Sequence, residues 1–194
     1  MKRTRTDVAR WLERMLLVVG LLLVGYYVYM SVETYLYQAM ENRELDAILS
    51  SAPAAPSPRT RRDPAPGSTL GRIEIPRLGV SAVIRAGSDA RTLQLAVGHI
   101  PGTAVPGDAG NIGLAGHRDT FFRRLADIRA DDEIRIVTAD GTFRFRVENT
   151  RIVSPKDTWV LDPTRAAALT LVTCYPFTYL GSAPDRFIVR AVGT

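Results

Sequence analysis

The hydrophobic pattern divides the chain into two unlike parts. Met15 to Met30 is a continuous run of sixteen residues whose side chains carry no polar group other than tyrosine hydroxyls. From Thr69 onward, apolar and polar residues instead alternate over short runs that Gly and Pro interrupt. The first pattern is typical of a membrane-spanning helix and the second of short β-strands. The sequence therefore predicts an N-terminal apolar helix followed by a mostly β domain.

Residues 15–32 are predicted to form a single transmembrane anchor in contact with membrane lipid. Five basic and two acidic residues give residues 1–14 a net charge of +3, and positive charge beside a span favours the cytoplasmic side. We therefore expect a cytoplasmic N-terminus and an extracytoplasmic remainder at the cell membrane. A cleaved signal peptide is the alternative. It is disfavoured because the nearest cluster of small residues, Ser50 to Ala55, lies about twenty residues beyond the apolar run.

Two connecting segments follow the anchor. In residues 33–50, apolar side chains recur at three- to four-residue intervals, which predicts a membrane-proximal helical stalk. A spacer or self-association face and a plain helix are both compatible with this pattern, and the plain helix is favoured. Residues 51–68 contain five prolines among Ala, Ser and Arg, which predicts a semi-extended linker. The folded domain is then residues 69–194.

The pattern of residues 69–194 predicts short strands of an antiparallel barrel or sandwich. Asp140-Gly141, between two alternating runs, is a strong hairpin signal. Leu93 to Val97 is predicted to form a helical turn, and Asp119 to cap a short helix that reaches Leu125. The predicted strands are residues 71–75, 80–84, 112–115, 133–138, 142–147, 151–153, 169–173 and 187–192.

Charge and composition exclude several classes of protein. Residues 68–194 carry 16 basic and 13 acidic side chains, a surplus of three. This small, interspersed surplus is not the basic stripe of a nucleic-acid-binding protein. A single cysteine excludes an internal disulfide framework. Two histidines and one cysteine, far apart in sequence, make a poor metal site, and nothing in the sequence calls for a cofactor.

Three candidate chemical groups lie at predicted strand ends. Cys174 ends one apolar run, His117 follows another, and Arg186 precedes the last strand. A lone cysteine in a strand is more often a small core residue. However, side chains at strand ends emerge toward loops, which are common sites of function. A single thiol with a distant imidazole is also the pattern of a cysteine nucleophile and its proton donor.

These residues carry a resemblance to a known family. Residues 170–174, Thr-Leu-Val-Thr-Cys, match the signature of sortases, and Arg186 follows at the spacing of that family's essential arginine. Residues 116–122 resemble the sortase histidine segment, especially that of class D-like enzymes. The resemblance covers roughly residues 71–191 and implies an eight-stranded β-barrel with short helices. It also implies catalytic roles for Cys174, His117 and Arg186.

Two further residues are candidates for substrate binding. The resemblance places Thr173 beside the oxyanion site, where it contacts substrate, although strand packing is an equally good interpretation because Thr is a common strand former. His99 precedes a loop rich in Pro and Gly, and both a structural and a substrate-lining role are open to it.

The resemblance implies a cysteine transpeptidase. Sortases cut a C-terminal sorting signal of Leu-Pro-x-Thr-Gly type after Thr, and then pass the acyl group to an amine on a cell-wall precursor or another protein. The expected partners are therefore proteins bearing such a signal and an amine acceptor. The alternative is a membrane-tethered β-barrel that binds peptides without cutting them. Papain- or caspase-like hydrolysis is disfavoured because neither family's local cysteine signature is present.

Overall fold

The computed structural model describes residues 5–51, 64–179 and 181–194, with side chains from residue 8 to residue 47 in the first stretch. Most of the predicted linker, residues 52–63, lies outside the described residues. Two compact units are present, residues 1–37 and residues 38–194.

The predicted N-terminal apolar helix is confirmed. Helix α1 spans Arg5–Ser51, 47 residues, and therefore includes residues 33–50. Within Val8–Ala47 it contains a stretch with a mean hydropathy of 2.1 that the protein does not bury. By length and composition, α1 is able to cross a membrane.

The predicted eight-stranded barrel is also confirmed. The strands close in the order β1-β2-β3-β4-β7-β8-β6-β5, with β2/β3 and β4/β7 parallel and the other pairs antiparallel. A short helix, α2 (Ala90–Leu95), and three 3₁₀ helices, Pro76–Leu78, Arg123–Asp127 and Thr158–Leu161, lie in the connections. The strands are β1 (Thr69–Ile75), β2 (Val80–Ala86), β3 (Val97–His99), β4 (Asn111–Ala115), β5 (Glu133–Thr138), β6 (Gly141–Val153), β7 (Ala168–Tyr175) and β8 (Asp185–Gly193).

The barrel interior is a single apolar core to which alternate residues of the strands contribute. On β4, β7 and β8 the inward residues include Ile112, Leu114, Leu169, Leu171 and Val189, all at most 1% exposed. Because side chains alternate across a strand, the residues between them face outward. The outer face of these three strands is where the candidate chemical groups lie.

The end of α1 packs on the outside of the barrel within the second compact unit. The Gln38 side chain donates to the carbonyl oxygen of Leu95 at 2.7 Å and accepts from the backbone N–H of Val83 at 2.9 Å. Arg72 on β1 forms an ion pair with Asp46 at 2.9 Å, and Leu45 is buried at 6% exposure. The compact unit that contains the barrel thus begins at Gln38, well before the first strand.

Several boundaries differ from the prediction for physical reasons. The short strand β3 was not predicted, because three residues give no readable alternation. The predicted runs 142–147 and 151–153 form one strand, β6, because a bulge between Val147 and Asn149 shifts the pairing with β8 without ending it. The helix-cap prediction for Asp119 is wrong: the 3₁₀ helix after His117 spans Arg123–Asp127, and Phe122 occupies its N-cap.

The turn before β5 is held by an ion pair that makes stability depend on pH. Asp132 is 8% exposed and accepts from Arg77 Nη2 at 2.6 Å and from the Arg129 N–H at 2.8 Å. The hydrogen bonds from Arg77 hold the pKa of Asp132 below its usual value. Burial acts in the opposite direction, and the hydrogen bond from the Arg129 N–H adds to the lowering.

We expect Asp132→Asn to lower the free energy of unfolding by about 1 kcal/mol at neutral pH, because a charged hydrogen-bonded pair with a partly exposed arginine is lost. A carboxyl group with a lowered pKa in the folded state stabilises at pH values above its unfolded pKa. That contribution disappears as the pH falls through the folded pKa. Chemical unfolding of the full chain in detergent from pH 7 to pH 3 should therefore show the two proteins converging below about pH 4. A difference that is constant over this range would contradict the assignment.

Candidate active site

Three candidate residues lie at or just beyond the ends of the adjacent strands β4, β7 and β8. Ala115 pairs with Val172 in the parallel ladder, and the Gly116 N–H continues that ladder to the Val172 carbonyl oxygen at 3.1 Å. Two residues beyond this pair are His117 and Cys174. On the other side, Cys174 pairs with Arg186 in the antiparallel ladder. Because neighbouring strands are about 4.8 Å apart, Cys174 and Arg186 are adjacent, whereas His117 lies two residues past the end of β4, the strand on the other side of β7. These three residues are called the row below.

The outward direction of this row follows from the alternation along the strands. Cys174 is two residues past Val172 and four past Thr170, none of which belongs to the interior core. Cys174 is half-buried, and its thiol is free. A small thiol at an outer strand end, rather than among the core residues, is accessible to a substrate. This placement disfavours the interpretation of Cys174 as a small core residue.

The segment that carries His117 is fixed by its neighbours, whereas the ring itself is exposed. Gly116 must be glycine because a Cβ atom there would lie 2.7 Å from the ring of Phe122, which is fully buried. The Phe122 N–H also donates to the His117 carbonyl oxygen at 3.0 Å. The backbone is thus held from both sides while the exposed imidazole of His117 faces solvent.

The Arg186 guanidinium lies at the start of β8, where it contacts the preceding loop. Its Nη1 donates to the carbonyl oxygens of Ala183 at 3.3 Å and of Asp185 at 2.9 Å. In the part of the chain that the structure describes, all of its hydrogen bonds involve Nη1. The Nε and Nη2 groups therefore offer three N–H donors to a bound molecule.

Thr173 connects the cysteine strand with the histidine segment. It is 2% exposed, and its hydroxyl donates to the Gly116 carbonyl oxygen at 2.7 Å. This bond joins the residue before Cys174 to the residue before His117. The placement favours a structural and positioning role; substrate contact by Thr173 stays a prediction.

His99 lies on β3, apart from the row. It is 3% exposed, and its Nε2 lies 2.8 Å from the Ala104 carbonyl oxygen and 3.2 Å from the Thr103 hydroxyl. These contacts fold residues 100–104 back onto the strand. Of the two roles that the sequence left open, the buried ring favours the structural one.

A cavity of about 330 Å³ continues the row along the same outer face. Its floor includes Thr170, Ile188 and Arg190, and one wall includes Trp159 and Pro163. Thr170 and Arg190 are paired across the ladder and lie four residues from Cys174 and Arg186 respectively. At about 3.3 Å per residue, the cavity is centred about 13 Å from the row, the length of about four extended residues.

A buried polar network that sequence reasoning missed holds the wall of this cavity. Asn111 is 2% exposed, and its Nδ2 donates to the carbonyl oxygens of Val160 at 3.1 Å and Asp162 at 3.2 Å. Its Oδ1 accepts from the Thr170 hydroxyl at 2.8 Å, which in turn accepts from Arg190 at 3.0 Å. A lone Asn at the start of a strand gives no sequence signal of this kind.

Metal binding has no support in the part of the chain with described side chains, because no three His, Cys, Asp or Glu side chains there are grouped to hold an ion. The ends of β4, β7 and β8 bring a thiol, an imidazole and a guanidinium to one region of the barrel, and a cavity lies farther along β7 and β8. These groups suit attack on a carbonyl carbon, protonation of a leaving group and stabilisation of an oxyanion.

Comparison with known proteins gives consistent results. The Sortase domain family model matches residues 73–194. Sortase D of Bacillus subtilis is 38% identical over 127 residues, which are 65% of this chain and 64% of that protein. Sortase SrtE1 of Streptomyces coelicolor is 32% identical over 130 residues, 57% of this chain and 37% of that protein. The chain thus spans just under two thirds of the first relative and little more than a third of the second.

Solved structures show the same similarity in three dimensions. A Clostridium perfringens sortase D5 transpeptidase matches with a TM-score of 0.60 and 33% identity, covering 66% of this chain and 79% of that one. The SrtA sortase from Actinomyces oris matches with a TM-score of 0.63 and 29% identity, covering 71% and 86%.

Proposed function

This chain belongs to the sortase family and is class D-like, and we propose that it is a cysteine transpeptidase anchored in the cell membrane. Its substrate is a protein that bears a Leu-Pro-x-Thr-Gly-like sorting signal, and its acceptor is an amine on a cell-wall precursor or another protein. The observation that supports the proposal is the pairing of Cys174 with Arg186 at adjoining ends of β7 and β8, with His117 two residues beyond the end of the neighbouring strand β4.

The first half of the proposed reaction forms a thioacyl-enzyme. The Cys174 thiolate attacks the carbonyl carbon of the threonine in the signal, and the N–H donors of Arg186 stabilise the resulting oxyanion. The C–N bond to glycine then breaks, and His117 gives a proton to the departing amine.

In the second half of the proposed reaction, the acceptor amine attacks the thioester. A new amide forms, the thiolate leaves, and the proton of the amine returns to His117.

The cavity beside Thr170 and Arg190 is proposed to bind the residues that precede the scissile bond. An extended peptide with its threonine at Cys174 places the residue three positions earlier about 10 Å along the face, at the near side of the cavity where Ile188 lies, because strand spacing is about 3.3 Å per residue. Trp159, Pro163 and Ile188 offer apolar surface to that residue. This geometry supports a signal that begins with an apolar side chain.

Incubation of the full chain in detergent with a Leu-Pro-x-Thr-Gly peptide and an amine acceptor tests the proposal. We expect a ligated product, identified by mass, whose formation requires the acceptor. Peptide binding without any cleavage would instead support the non-catalytic peptide-binding module.

Asn111 offers a test of the cavity that does not touch the reacting groups. We expect Asn111→Ala to raise KM for the peptide about tenfold or more and to change kcat by less than about threefold, because the wall of the cavity loses its anchor while the row is untouched. Asn42→Ala, which removes a half-buried acceptor for Arg72 on the opposite part of the fold, is the control and should change neither constant. An Asn111 variant with normal KM would place the substrate elsewhere.

The proposed orientation puts residues 1–14 in the cytoplasm, residues 15–32 in the membrane and the barrel outside. The excess of basic residues before the apolar run supports it. Alkaline phosphatase fused after Thr194 should be active in cells, since that enzyme requires export. Activity of a cytoplasmic reporter at the same position would reverse the orientation.

A further inference from the structure

Arg118, the residue after His117, crosses to the loop between β7 and β8. Its Nη1 donates to the Pro176 carbonyl oxygen at 2.9 Å, and its Nη2 donates to those of Tyr179 at 2.5 Å and Gly181 at 3.2 Å. The guanidinium carbon also lies 5.9 Å from the centre of the Tyr179 ring. A single side chain thus holds three carbonyl groups and one ring of the same loop.

A guanidinium makes these contacts from two separate nitrogen atoms, whereas an ammonium group offers all its donors from one. Carbonyl oxygens of a loop have no strand partner, so they need other donors when the loop is folded against the protein. The fixed fork of arginine reaches several of them at once and loses little freedom for each bond. Arg118 therefore stabilises the positions of Pro176, Tyr179 and Gly181 relative to one another.

The other end of this loop contacts Arg186. The carbonyl oxygens of Ala183 and Asp185 accept the two hydrogen bonds of Arg186 Nη1. The loop begins two residues after Cys174 and ends two residues before Arg186, so that Ala183 belongs to the loop and Asp185 is the first residue of β8. The loop therefore supplies one of the two carbonyl groups that hold the Arg186 guanidinium.

We propose that Arg118 is a positioning residue for the reaction, which acts by fixing the β7–β8 loop so that the carbonyl groups of Ala183 and Asp185, at the end of the loop and the start of β8, hold Arg186 in its working orientation. This inference rests on the proposed function, since it assigns Arg118 to the same reaction. Arg118 is assigned a positioning role because each of its three hydrogen bonds goes to a carbonyl group of the loop. Its partners are backbone carbonyl groups, so it differs from a surface arginine that pairs with a carboxylate.

The first arm of the test needs no substrate. The full chain in detergent is compared with Arg118→Ala and with Arg124→Ala, in which the lost arginine also donates to a carbonyl group, that of Leu78 at 3.3 Å. We expect hydrogen exchange of the loop amides to be at least about tenfold faster in Arg118→Ala and unchanged in Arg124→Ala. The NMR signal of Arg186 Nε–H, assigned from its loss in Arg186→Lys, should shift only in the Arg118 variant.

The second arm is a double-mutant cycle on kcat/KM for a sorting peptide. Arg118→Ala and Arg118→Lys are each expected to lower kcat about 10- to 100-fold, with KM changed by less than about threefold. In the Arg186→Lys background, the same changes should cost less than about threefold, because the residue through which Arg118 acts is already gone. A merely structural role would give the same loss in both backgrounds.

Two results would overturn the inference. One is that Arg118→Ala changes neither the hydrogen exchange of the loop amides nor the NMR signal of Arg186 Nε–H. The other is that the loss of kcat/KM in the double variant equals the product of the losses in the two single variants. If the wild-type chain cleaves no sorting peptide, the proposed function fails, whereas the exchange and NMR arm still decides whether Arg118 orients Arg186 through the loop.

Discussion

Replacing Cys174 by alanine is expected to lower kcat/KM for a sorting peptide by at least about 10⁴-fold, to the background rate, because no other group in the row can form the acyl-enzyme. The fold should be preserved. Cys174 is half-buried at the end of β7, so the loss of one sulfur atom leaves at most a small cavity and should cost about 1 kcal/mol or less. Steady-state cleavage assays and thermal melting of the full chain in detergent check both parts.

Val172→Ala is the matched control for this variant. Val172 lies two residues earlier on the same outer face of β7, is also half-buried and carries no reactive group. The Val172→Ala protein should be less stable, because it loses packing contacts, and should retain most of its turnover rate. Cleavage by the Cys174 variant clearly above background would return Cys174 to the role of a core residue.

The second large effect is expected at Arg186. We predict that Arg186→Lys keeps the fold and loses about two orders of magnitude or more in kcat/KM, because removal of an oxyanion donor typically costs about 10²–10³ in rate. A lysine keeps the positive charge but not the planar set of N–H donors. In Arg186, Nη1 donates to the carbonyl oxygens of Ala183 and Asp185, and Nε and Nη2 are left for the substrate. The measurement is kcat and KM over a range of peptide concentrations.

Arg144→Lys is a suitable comparison because Arg144 is an outward arginine of β6 that forms an ion pair with Glu133, on another part of the barrel. Its rate constants should equal those of the wild type. An Arg186→Lys protein within about fivefold of the wild type would mean that charge alone suffices or that Arg186 plays no part in the reaction.

Local sequence signals were sufficient for most of the fold. The hairpin of β5 and β6 was predictable because Asp140-Gly141 supplies the turn, and Gly141 has a φ of +129°, which favours glycine. The alternation of Leu169 and Leu171 with Thr170 and Val172 likewise located β7 and its inward face. These features depend on residues that are neighbours in sequence.

Features that depend on long-range packing were not predictable. β3 has three residues and exists because β2 and β4 flank it. Asn111 gives no local sign that it bonds Val160 and Asp162, some fifty residues away. For the site, motif resemblance located Cys174, His117 and Arg186. The strand register pairs Cys174 with Arg186, a contact that no local sequence signal gives, and His99 is buried on β3.

The mass of the intact protein during reaction shows whether Cys174 carries the acyl group. The full chain in detergent is mixed with a Leu-Pro-x-Thr-Gly peptide without an amine acceptor, quenched in acid and measured by mass spectrometry. We expect the mass to increase by that of the peptide fragment that ends in threonine, attached at Cys174. The adduct should disappear when an amine is added, and it should be absent from Cys174→Ala. Peptide cleavage with no adduct on the wild-type chain, or an adduct that persists in Cys174→Ala, would contradict this expectation.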